Sequence, residues 1–195
     1  MEHFIPIFIK NSHIRCVIVG AGKVAARKTL FLLNHGIRPD IIAPEACAEM
    51  ISIIETNQLD WKKRVFLTHD TNLYNMVFAA TSSIEVNGAI KNQLAANVLF
   101  NDISNYEEGN FIVPATITRG DVQIAISTSG KAPFLTKYLR KYINEFLPDF
   151  PTEKMKELAQ IRKDIITNSK GDETLKKQKF EQELKPLISD LFKRD

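Results

Sequence analysis

The chain is poor in the residues that build disulfide scaffolds and zinc sites. It has only two cysteines among 195 residues, Cys16 and Cys47, and they form no C-x-x-C pair. Its four histidines are scattered and show no spacing typical of metal ligands. The sequence therefore argues against a disulfide framework and predicts no metal ligands, and we interpret both cysteines as small buried apolar residues.

Long apolar runs and a strong excess of one charge are also missing. No apolar run approaches the roughly 18 residues that cross a bilayer, and the N-terminus lacks the basic-then-apolar pattern of a signal peptide. The 26 basic and 23 acidic residues leave a net charge of +3, too balanced to indicate nucleic-acid binding. We therefore predict a cytoplasmic globular protein that binds neither membranes nor nucleic acid.

The first hundred residues alternate between short apolar runs and helical patterns. The spacing of apolar residues predicts strands over 14–19, 37–43, 65–67, 76–80 and 98–100, and helices over 26–34, 45–58 and 85–96. Strands that alternate with helices in this way are typical of a parallel sheet with helices on both faces. The sequence therefore predicts the α/β class for this part.

The pattern changes after residue 110. Two β-rich runs, 111–118 and 122–128, flank Arg119-Gly120-Asp121 and indicate a β-hairpin. A basic amphipathic helix is predicted over 134–146, and the prolines at 148 and 151 indicate a linker. Beyond them the chain is charged and helix-prone, with a break near 168–172, so we predict a C-terminal pair of helices.

The strongest chemical signal is G-A-G-K-V-A at Gly20–Ala25, between a strand and a helix. Gly20 permits a tight turn, Gly22 lets the backbone approach a pyrophosphate, and Ala25 is the small residue that keeps the helix near the strand. The helix N-terminus would attract the phosphates, and Lys23 and Val24 lie beside it. The motif predicts dinucleotide binding; the alternative is an ordinary glycine-rich turn.

The residues after the second predicted strand bear on which dinucleotide binds. The acidic residue that usually holds the ribose 2′-OH is not evident there, since Asp40 is predicted to lie mid-strand. Pro44 and Glu45 are expected to meet the adenosine half, and Thr81 follows the next buried strand. No arginine follows Pro44 to receive a 2′-phosphate, so the sequence favours NAD over NADP.

Several motifs along the chain carry a family resemblance. They are F-I-P-I-F-I at Phe4–Ile9, V-I-V-G-A-G-K-V-A-A-R-K at Val17–Lys28, F-A-A-T at Phe78–Thr81, N-F-I-V-P-A at Asn110–Ala115 and I-S-T-S-G-K-A-P at Ile126–Pro133. In this order they resemble the precorrin-2 dehydrogenase family, the oxidase and sometimes ferrochelatase module of sirohaem synthesis. The resemblance spans nearly the whole chain.

The resemblance implies a three-part protein that forms a homodimer. The expected parts are an NAD-binding Rossmann domain over 1–113, a β-hairpin dimerisation region over 114–147 and a C-terminal helical domain over 148–195. Strands and a helix of the middle part would be exchanged between protomers. The active site is expected in the cleft between the Rossmann and helical parts of the dimer.

The implied chemistry is the NAD-dependent dehydrogenation of precorrin-2 to sirohydrochlorin. NAD⁺ would accept a hydride from the macrocycle, and a base would remove a proton. Because the tetrapyrrole substrate is rich in carboxylates, its site needs basic residues. The candidates are Arg119, Lys131, Lys137 and Arg140. The run Ser127–Lys131 would either cradle a carboxylate or cap the helix that follows it.

The acid/base position of the family lies in a segment that resembles N-V-x-D, shortly before F-I-V-P. An alignment on Asn101 puts Ser104 in the position of that Asp, while Asp102 lies in the same loop. We favour Asp102 as the catalytic residue, because a carboxylate can take a proton near neutral pH and a serine hydroxyl cannot do so unaided. The alternative for Asp102 is a loop-forming role in an Asx turn.

Three further functions stay open at the level of the sequence. Some members of the family also insert Fe²⁺ into sirohydrochlorin, and a carboxylate such as Asp102 could serve that step. An NAD-binding regulatory dimer without catalysis would keep the glycine loop and need no macrocycle. A dedicated chelatase that has lost NAD is disfavoured, because Gly20, Gly22 and Ala25 are all present.

Overall fold

The computed structural model describes residues 4–193, which divide into two compact units between Ile112 and Val113. The first unit contains five short strands: Cys16–Val19 (β1), Asp40–Ile42 (β2), Trp61–Lys62 (β3), Met76–Ala79 (β4) and Leu99–Asp102 (β5). Its helices are Lys23–Asn34 (α1), Ala48–Asn57 (α2) and Ile84–Asn92 (α3). The strands form one parallel sheet in the order β3-β2-β1-β4-β5. The predicted α/β sheet is therefore confirmed.

The central strands of this sheet are buried on both faces. Every residue of β1 and β4 is buried, and Val17, Ile18 and Phe78 are completely inaccessible. Branched and aromatic side chains suit strands that are covered by helices on both sides, which explains their unbroken apolar runs. The sheet order reverses between β1 and β4, and ligands of such sheets bind at the carboxyl ends of the strands there.

One strand lies earlier than the sequence predicts. The prediction of a strand over 65–67 is wrong, because the paired residues are Trp61 and Lys62, opposite Ile41 and Ile42 of β2. The indole Nε1 of Trp61 donates to the carbonyl oxygen of Ala43 at 3.0 Å, which fixes the register. Val65 is instead 62% exposed, in the segment that leaves the sheet.

The second unit consists of a hairpin and helices. Ala115–Arg119 (β6) and Val122–Ile126 (β7) pair antiparallel, with Arg119 opposite Val122, as the sequence predicts. The helices are Pro133–Phe146 (α4), Thr152–Asn168 (α5), Glu173–Lys179 (α6) and Lys185–Leu191 (α7), with a π-helical turn at Phe180–Leu184 between the last two. No helix among residues 4–193 is both long and apolar enough to cross a membrane. The two predicted domain boundaries, at 113/114 and 147/148, stay a prediction.

Gly20 lies where the backbone after β1 closely approaches the backbone after β4. Its φ of +105° is rarely adopted by other residues, and a Cβ there would lie 2.4 Å from the Ala80 carbonyl oxygen. Hydrogen bonds hold both sides in place, from the Gly20 N–H to Ile42 O at 2.8 Å and from the Ala80 N–H to Val19 O at 2.7 Å. Only glycine satisfies these contacts without a shift of the backbone.

We expect Gly20→Ala to lower the free energy of unfolding by about 1–3 kcal/mol, because it combines a strained φ with a backbone clash. Chemical denaturation followed by circular dichroism measures the change. Gly88→Ala is the control, since Gly88 lies in α3 and a Cβ there would contact nothing within 4 Å. The control should gain about 0.5–1 kcal/mol from helix propensity. Equal stability of the two variants would contradict the proposed constraint.

Candidate active site

A cleft of about 590 Å³ opens at the carboxyl edge of the sheet, where the strand order reverses. Its walls are the loops that follow β1, β2, β3 and β4. All seven residues that the sequence analysis selected for cofactor binding line it: Gly20, Gly22, Lys23, Val24, Pro44, Glu45 and Thr81. Residues that lie far apart in the sequence are therefore brought together by the parallel sheet.

The N-terminus of α1 is open to a ligand. Gly22 precedes the helix with a φ of −82°, which any residue can adopt, and a Cβ on it would contact nothing within 4 Å. The helix has no side-chain cap and no acidic residue in its first turn. Its first N–H groups lack intrahelical partners and carry partial positive charge, which fits a pyrophosphate. The residues present therefore fit a dinucleotide.

Pro44 and Glu45, which the sequence predicts to meet the adenosine half, line the cleft and are both exposed. The Cys47 N–H donates to Ala21 O at 3.0 Å and ties this loop to the glycine loop. The expectation that Asp40 lies mid-strand is wrong. It is the first residue of β2, at the opposite end from the cleft, and accepts a 2.5 Å hydrogen bond from the Tyr74 hydroxyl.

Burial, together with the nearby Asp40 carboxylate, raises the pKa of Tyr74 well above its usual range, so its hydroxyl remains a donor. The Lys62 ammonium donates to the same hydroxyl at 3.2 Å. This cluster lies at the amino end of β2, away from the cleft. The missing acidic residue of the ribose site is therefore not supplied by Asp40.

Two apolar residues of the cleft wall, Val65 and Phe66, were missed as site residues. The segment that carries them is fixed by Asp70, which accepts two 2.6 Å hydrogen bonds from Arg64 and one of 2.7 Å from the Leu67 N–H. The hydrogen bond from Arg64 is the main reason that the pKa of Asp70 is lowered. The Asp-rich loop after residue 67 is the available signal, whereas the apolar run alone predicts a strand over 65–67.

Asp102 and Ser104 form a close pair at the end of β5. Asp102 is buried opposite Ala79 of β4, whereas Ser104 is exposed. The Oδ1 atom of Asp102 accepts hydrogen bonds from Ser104 Oγ at 2.6 Å, from Ser104 N at 2.8 Å and from Asn105 N at 3.2 Å. The bond to the N–H two residues later is the geometry of an Asx turn, so Asp102 does shape its loop.

A third side chain, Asn87 of α3, reaches this pair and was not selected from the sequence. It is completely buried, accepts from Thr81 Oγ1 at 2.7 Å, and donates from Nδ2 to Ser104 Oγ at 3.1 Å and Asp102 Oδ1 at 3.3 Å. Asn87 lies three residues before Ile90, which is also buried, so the helical period places both side chains on one face. This spacing is the signal that was available in the sequence. A polar residue on the buried face of a helix needs partners, and these are its partners.

The four basic residues selected for substrate binding do not all come together. Lys137 and Arg140 line a groove of about 640 Å³ between β6 and α4. Arg119 instead donates from Nη2 to Asn144 O at 3.4 Å and lies 3.5 Å from the Asp149 carboxylate, an ion pair that is weak because Asp149 is exposed. Lys131 lies in the turn before α4 and does not line that groove.

Thr128 ties the run Ser127–Lys131 to the start of α4, where Ala132 is the residue before the helix. The Thr128 hydroxyl accepts from the Ala132 N–H at 3.1 Å and lies 2.9 Å from the Thr136 hydroxyl, so it secures the start of α4. No side chain caps the first turn of α4, so both interpretations of the run stay predictions. Within residues 4–193, no three His, Cys, Asp or Glu side chains cluster as a metal ion would require. Insertion of Fe²⁺ therefore stays a prediction of the resemblance.

Two family models match the chain. The model described as "Putative NAD(P)-binding" matches residues 7–115, and the one described as "Sirohaem biosynthesis protein central" matches residues 119–145. The first match contains all seven predicted cofactor-binding residues as well as Asp102 and Ser104. The second contains the hairpin turn, the strand β7 and nearly all of α4.

Curated relatives carry the name siroheme synthase. The protein of Pseudoalteromonas atlantica is 32% identical over 174 residues, which cover 86% of this chain and 37% of that protein. The protein of Acinetobacter baylyi is 35% identical over 150 residues, covering 76% of this chain and 33% of that protein. The chain thus spans about a third of the length of these relatives.

A solved structure shares the fold. It is named "SirC, precorrin-2 dehydrogenase", and it matches with a TM-score of 0.67 over 95% of this chain and 88% of that chain. The sequence identity is 24%, so the match shows the arrangement of helices and strands and nothing finer. It agrees with the predicted order of parallel sheet, hairpin and C-terminal helices.

We expect Gly22→Asp to keep the fold and lose the dinucleotide. The φ and the open space at Gly22 accept a side chain, but a carboxylate would meet the pyrophosphate at the helix N-terminus. Like charges in contact cost several kcal/mol, so the dissociation constant of NAD should rise about 100-fold or more, as measured by calorimetric titration. Gly88→Asp makes the same change in open space outside the cleft. Equal NAD affinity in the two variants would mean that the glycine loop is only structural.

Proposed function

The chain belongs to the NAD(P)-binding family whose model matches residues 7–115, and from this membership we propose that it is an NAD-dependent precorrin-2 dehydrogenase. The reaction would convert precorrin-2 to sirohydrochlorin, in the synthesis of sirohaem. One observation carries the proposal: the cleft that fits a dinucleotide and the Asp102–Ser104 pair lie at the same carboxyl edge of one sheet. The siroheme synthase relatives and the fold shared with a precorrin-2 dehydrogenase support it.

The glycine loop and α1 would bind the cofactor through its phosphates. Gly22 leaves room for the backbone to approach, the N–H groups of the first turn donate, and Lys23 adds a positive charge at the mouth. Glu45 supports NAD rather than NADP, because its carboxylate can accept from a ribose 2′-OH and would repel a 2′-phosphate. Bound NAD⁺ supplies the acceptor for a hydride from the macrocycle.

Ser104 and Asp102 would together remove the proton. Ser104 is an exposed residue, and its Oγ would accept the proton released by the macrocycle while its own proton passes along the 2.6 Å hydrogen bond to Asp102 Oδ1. The macrocycle gains a double bond, Ser104 is unchanged and Asp102 holds the proton until solvent takes it. The Asp102 carboxylate would thus provide the base that the Ser104 hydroxyl lacks by itself.

The basic residues would hold the carboxylates of the tetrapyrrole. Lys137 and Arg140 already line one groove, so they can engage neighbouring carboxylates of a single ligand. Lys131, in the exposed turn before α4, can add a further contact. Arg119 would have to exchange its contacts with Asn144 and Asp149 for substrate, so it contributes least.

The second unit supports a homodimer. The α4 side chains Phe134, Tyr138 and Tyr142 follow each other at four-residue spacing and are 89%, 65% and 50% exposed. Residues four apart lie on the same face of a helix, so they form one apolar stripe. Monomers rarely expose such a surface, and a second copy of the same stripe would cover it. Because Phe134 and Tyr138 also line the groove of Lys137 and Arg140, the tetrapyrrole would bind beside this interface.

We expect the purified protein to form NADH when it is given precorrin-2 and NAD⁺ without oxygen. Absorbance of the reduced nicotinamide measures the rate, and spectra identify sirohydrochlorin. Asp102→Asn should lower the rate about 10²–10⁴-fold, because the amide cannot accept the proton. Circular dichroism of the variant checks that its fold persists.

Two results would contradict this function. The first is no NADH from the wild type although it binds NAD, together with no binding of a sirohydrochlorin-type macrocycle, which would favour the regulatory dimer. The second is a wild-type rate in Asp102→Asn, which would leave Asp102 with its loop-forming role alone.

We expect Tyr138→Asp to convert a dimer into a monomer, because it places a charge in the centre of the apolar stripe. Sedimentation velocity measures the mass in solution. Ile188→Asp is the control: it introduces the same kind of change at a 44% exposed position of α7, outside the stripe. A wild type that sediments as a monomer, or a Tyr138→Asp variant that remains dimeric, would contradict the proposed interface.

A further inference from the structure

Asn87 is a buried polar side chain with contacts in two parts of the site. It has no exposed surface, and it lies on the face of α3 that packs on the sheet. On one side its Oδ1 atom contacts the hydroxyl of Thr81, a residue that lines the dinucleotide cleft. On the other side it meets the Asp102 carboxylate and the Ser104 hydroxyl. It is the side chain that joins these two groups within the described part of the first unit.

The orientation of the Asn87 amide follows from its neighbours. Its Nδ2 faces two acceptors, Asp102 Oδ1 at 3.3 Å and Ser104 Oγ at 3.1 Å, whereas its Oδ1 faces the Thr81 hydroxyl at 2.7 Å. If the amide were rotated by 180°, its carbonyl oxygen would face the Asp102 carboxylate. Both oxygens are acceptors, so no hydrogen bond could form between them. Asn87 must therefore donate to the Asp102–Ser104 pair. Its Oδ1 lies 2.7 Å from Thr81 Oγ1, a shorter contact than the 3.0 Å from Thr81 Oγ1 to its other acceptor, Ser83 O.

This orientation also fixes the direction of the Ser104 hydroxyl. Because Asn87 Nδ2 donates to Ser104 Oγ, the serine proton points along the shorter 2.6 Å bond to Asp102 Oδ1. One lone pair of Ser104 Oγ then remains for a group in solution. The same amide thus holds the serine in the arrangement in which it can accept one proton and release another.

We propose that Asn87 is a positioning residue, which aligns the Ser104 hydroxyl with the Asp102 carboxylate and ties both to the cofactor wall at Thr81. This role rests on the dehydrogenase function proposed above. Asn87 acts through Ser104 and does not itself meet the substrate. Packing alone does not account for it, since an apolar side chain would fill the buried face of α3 without the cost of burying an amide.

The test uses Asn87→Ala and Asn87→Leu, the second of which keeps the side-chain volume, in the full chain. Asn92→Ala is the matched control, because Asn92 is an exposed residue at the end of the same helix. The dissociation constant of NAD and the thermal midpoint are measured first. Ser104→Ala and the double variant Asn87→Ala/Ser104→Ala complete a kinetic cycle.

We expect the Asn87 variants to lower kcat about 10- to 100-fold with KM for precorrin-2 changed less than about threefold. In the Ser104→Ala background, Asn87→Ala should cost no more than about threefold, since its effect passes through the serine. Losses that multiply in the double variant would overturn the proposal, because a residue with only a structural role acts independently of Ser104.

Hydrogen exchange tests the same placement without catalysis. The N–H groups of Ser104 and Asn105 donate to Asp102 Oδ1, so they report whether the carboxylate is held in place. Measured relative to the amides of β1, the Ser104 and Asn105 N–H groups should exchange about tenfold faster in Asn87→Leu than in the wild type. Their exchange rates should be unchanged in Asn92→Ala. Unchanged exchange in Asn87→Leu would overturn the proposal. If the wild type does not oxidise precorrin-2, the proposed function fails, and exchange alone decides the role of Asn87.

Discussion

The site depends on the contact between two backbones, Gly20 after β1 and Ala80 after β4. This contact leaves no room for a Cβ at Gly20, and it brings the start of α1 next to Thr81. Parallel strands end at one edge, so loops distant in sequence meet there once the central strands are buried. The open space at Gly22 follows from the same geometry: one glycine permits the approach of protein, and the other the approach of a ligand.

The Asp102–Ser104 pair joins a buried carboxylate to the hydroxyl of an exposed residue. Asp102 is covered by backbone and side-chain donors that hold its loop, and Ser104 presents a hydroxyl that it contacts. The loop-forming and the catalytic interpretations of Asp102 are therefore compatible, since the hydrogen bonds that build the turn also aim the serine. Asn87 extends this arrangement to Thr81 on the wall of the cleft, so under the proposed function it would link the proton acceptor to the dinucleotide site.

The sequence predicted most elements because buried strands and amphipathic helices carry different apolar periods. It failed where a strand is only two residues long: Trp61 and Lys62 are fixed by an indole hydrogen bond to Ala43 and by pairing with β2, which no local pattern contains. The sequence instead predicts a strand over 65–67, but Val65 and Phe66 of this run line the cleft. Asn87 was overlooked because a single polar residue does not alter the helical pattern of α3.

The glycine loop, the alternation of strands and helices, and the hairpin could all be recognised from the amino-acid sequence, because each depends on residues close together along the chain. The partners of each side chain were decided by the tertiary structure. Asp102 became buried and Ser104 exposed because β5 ends beside β4 under α3. Arg119 turned to Asn144 and Asp149 because the end of β6 lies beside the end of α4. Hydrogen bonds between distant residues depend on packing, which local periodicity does not encode.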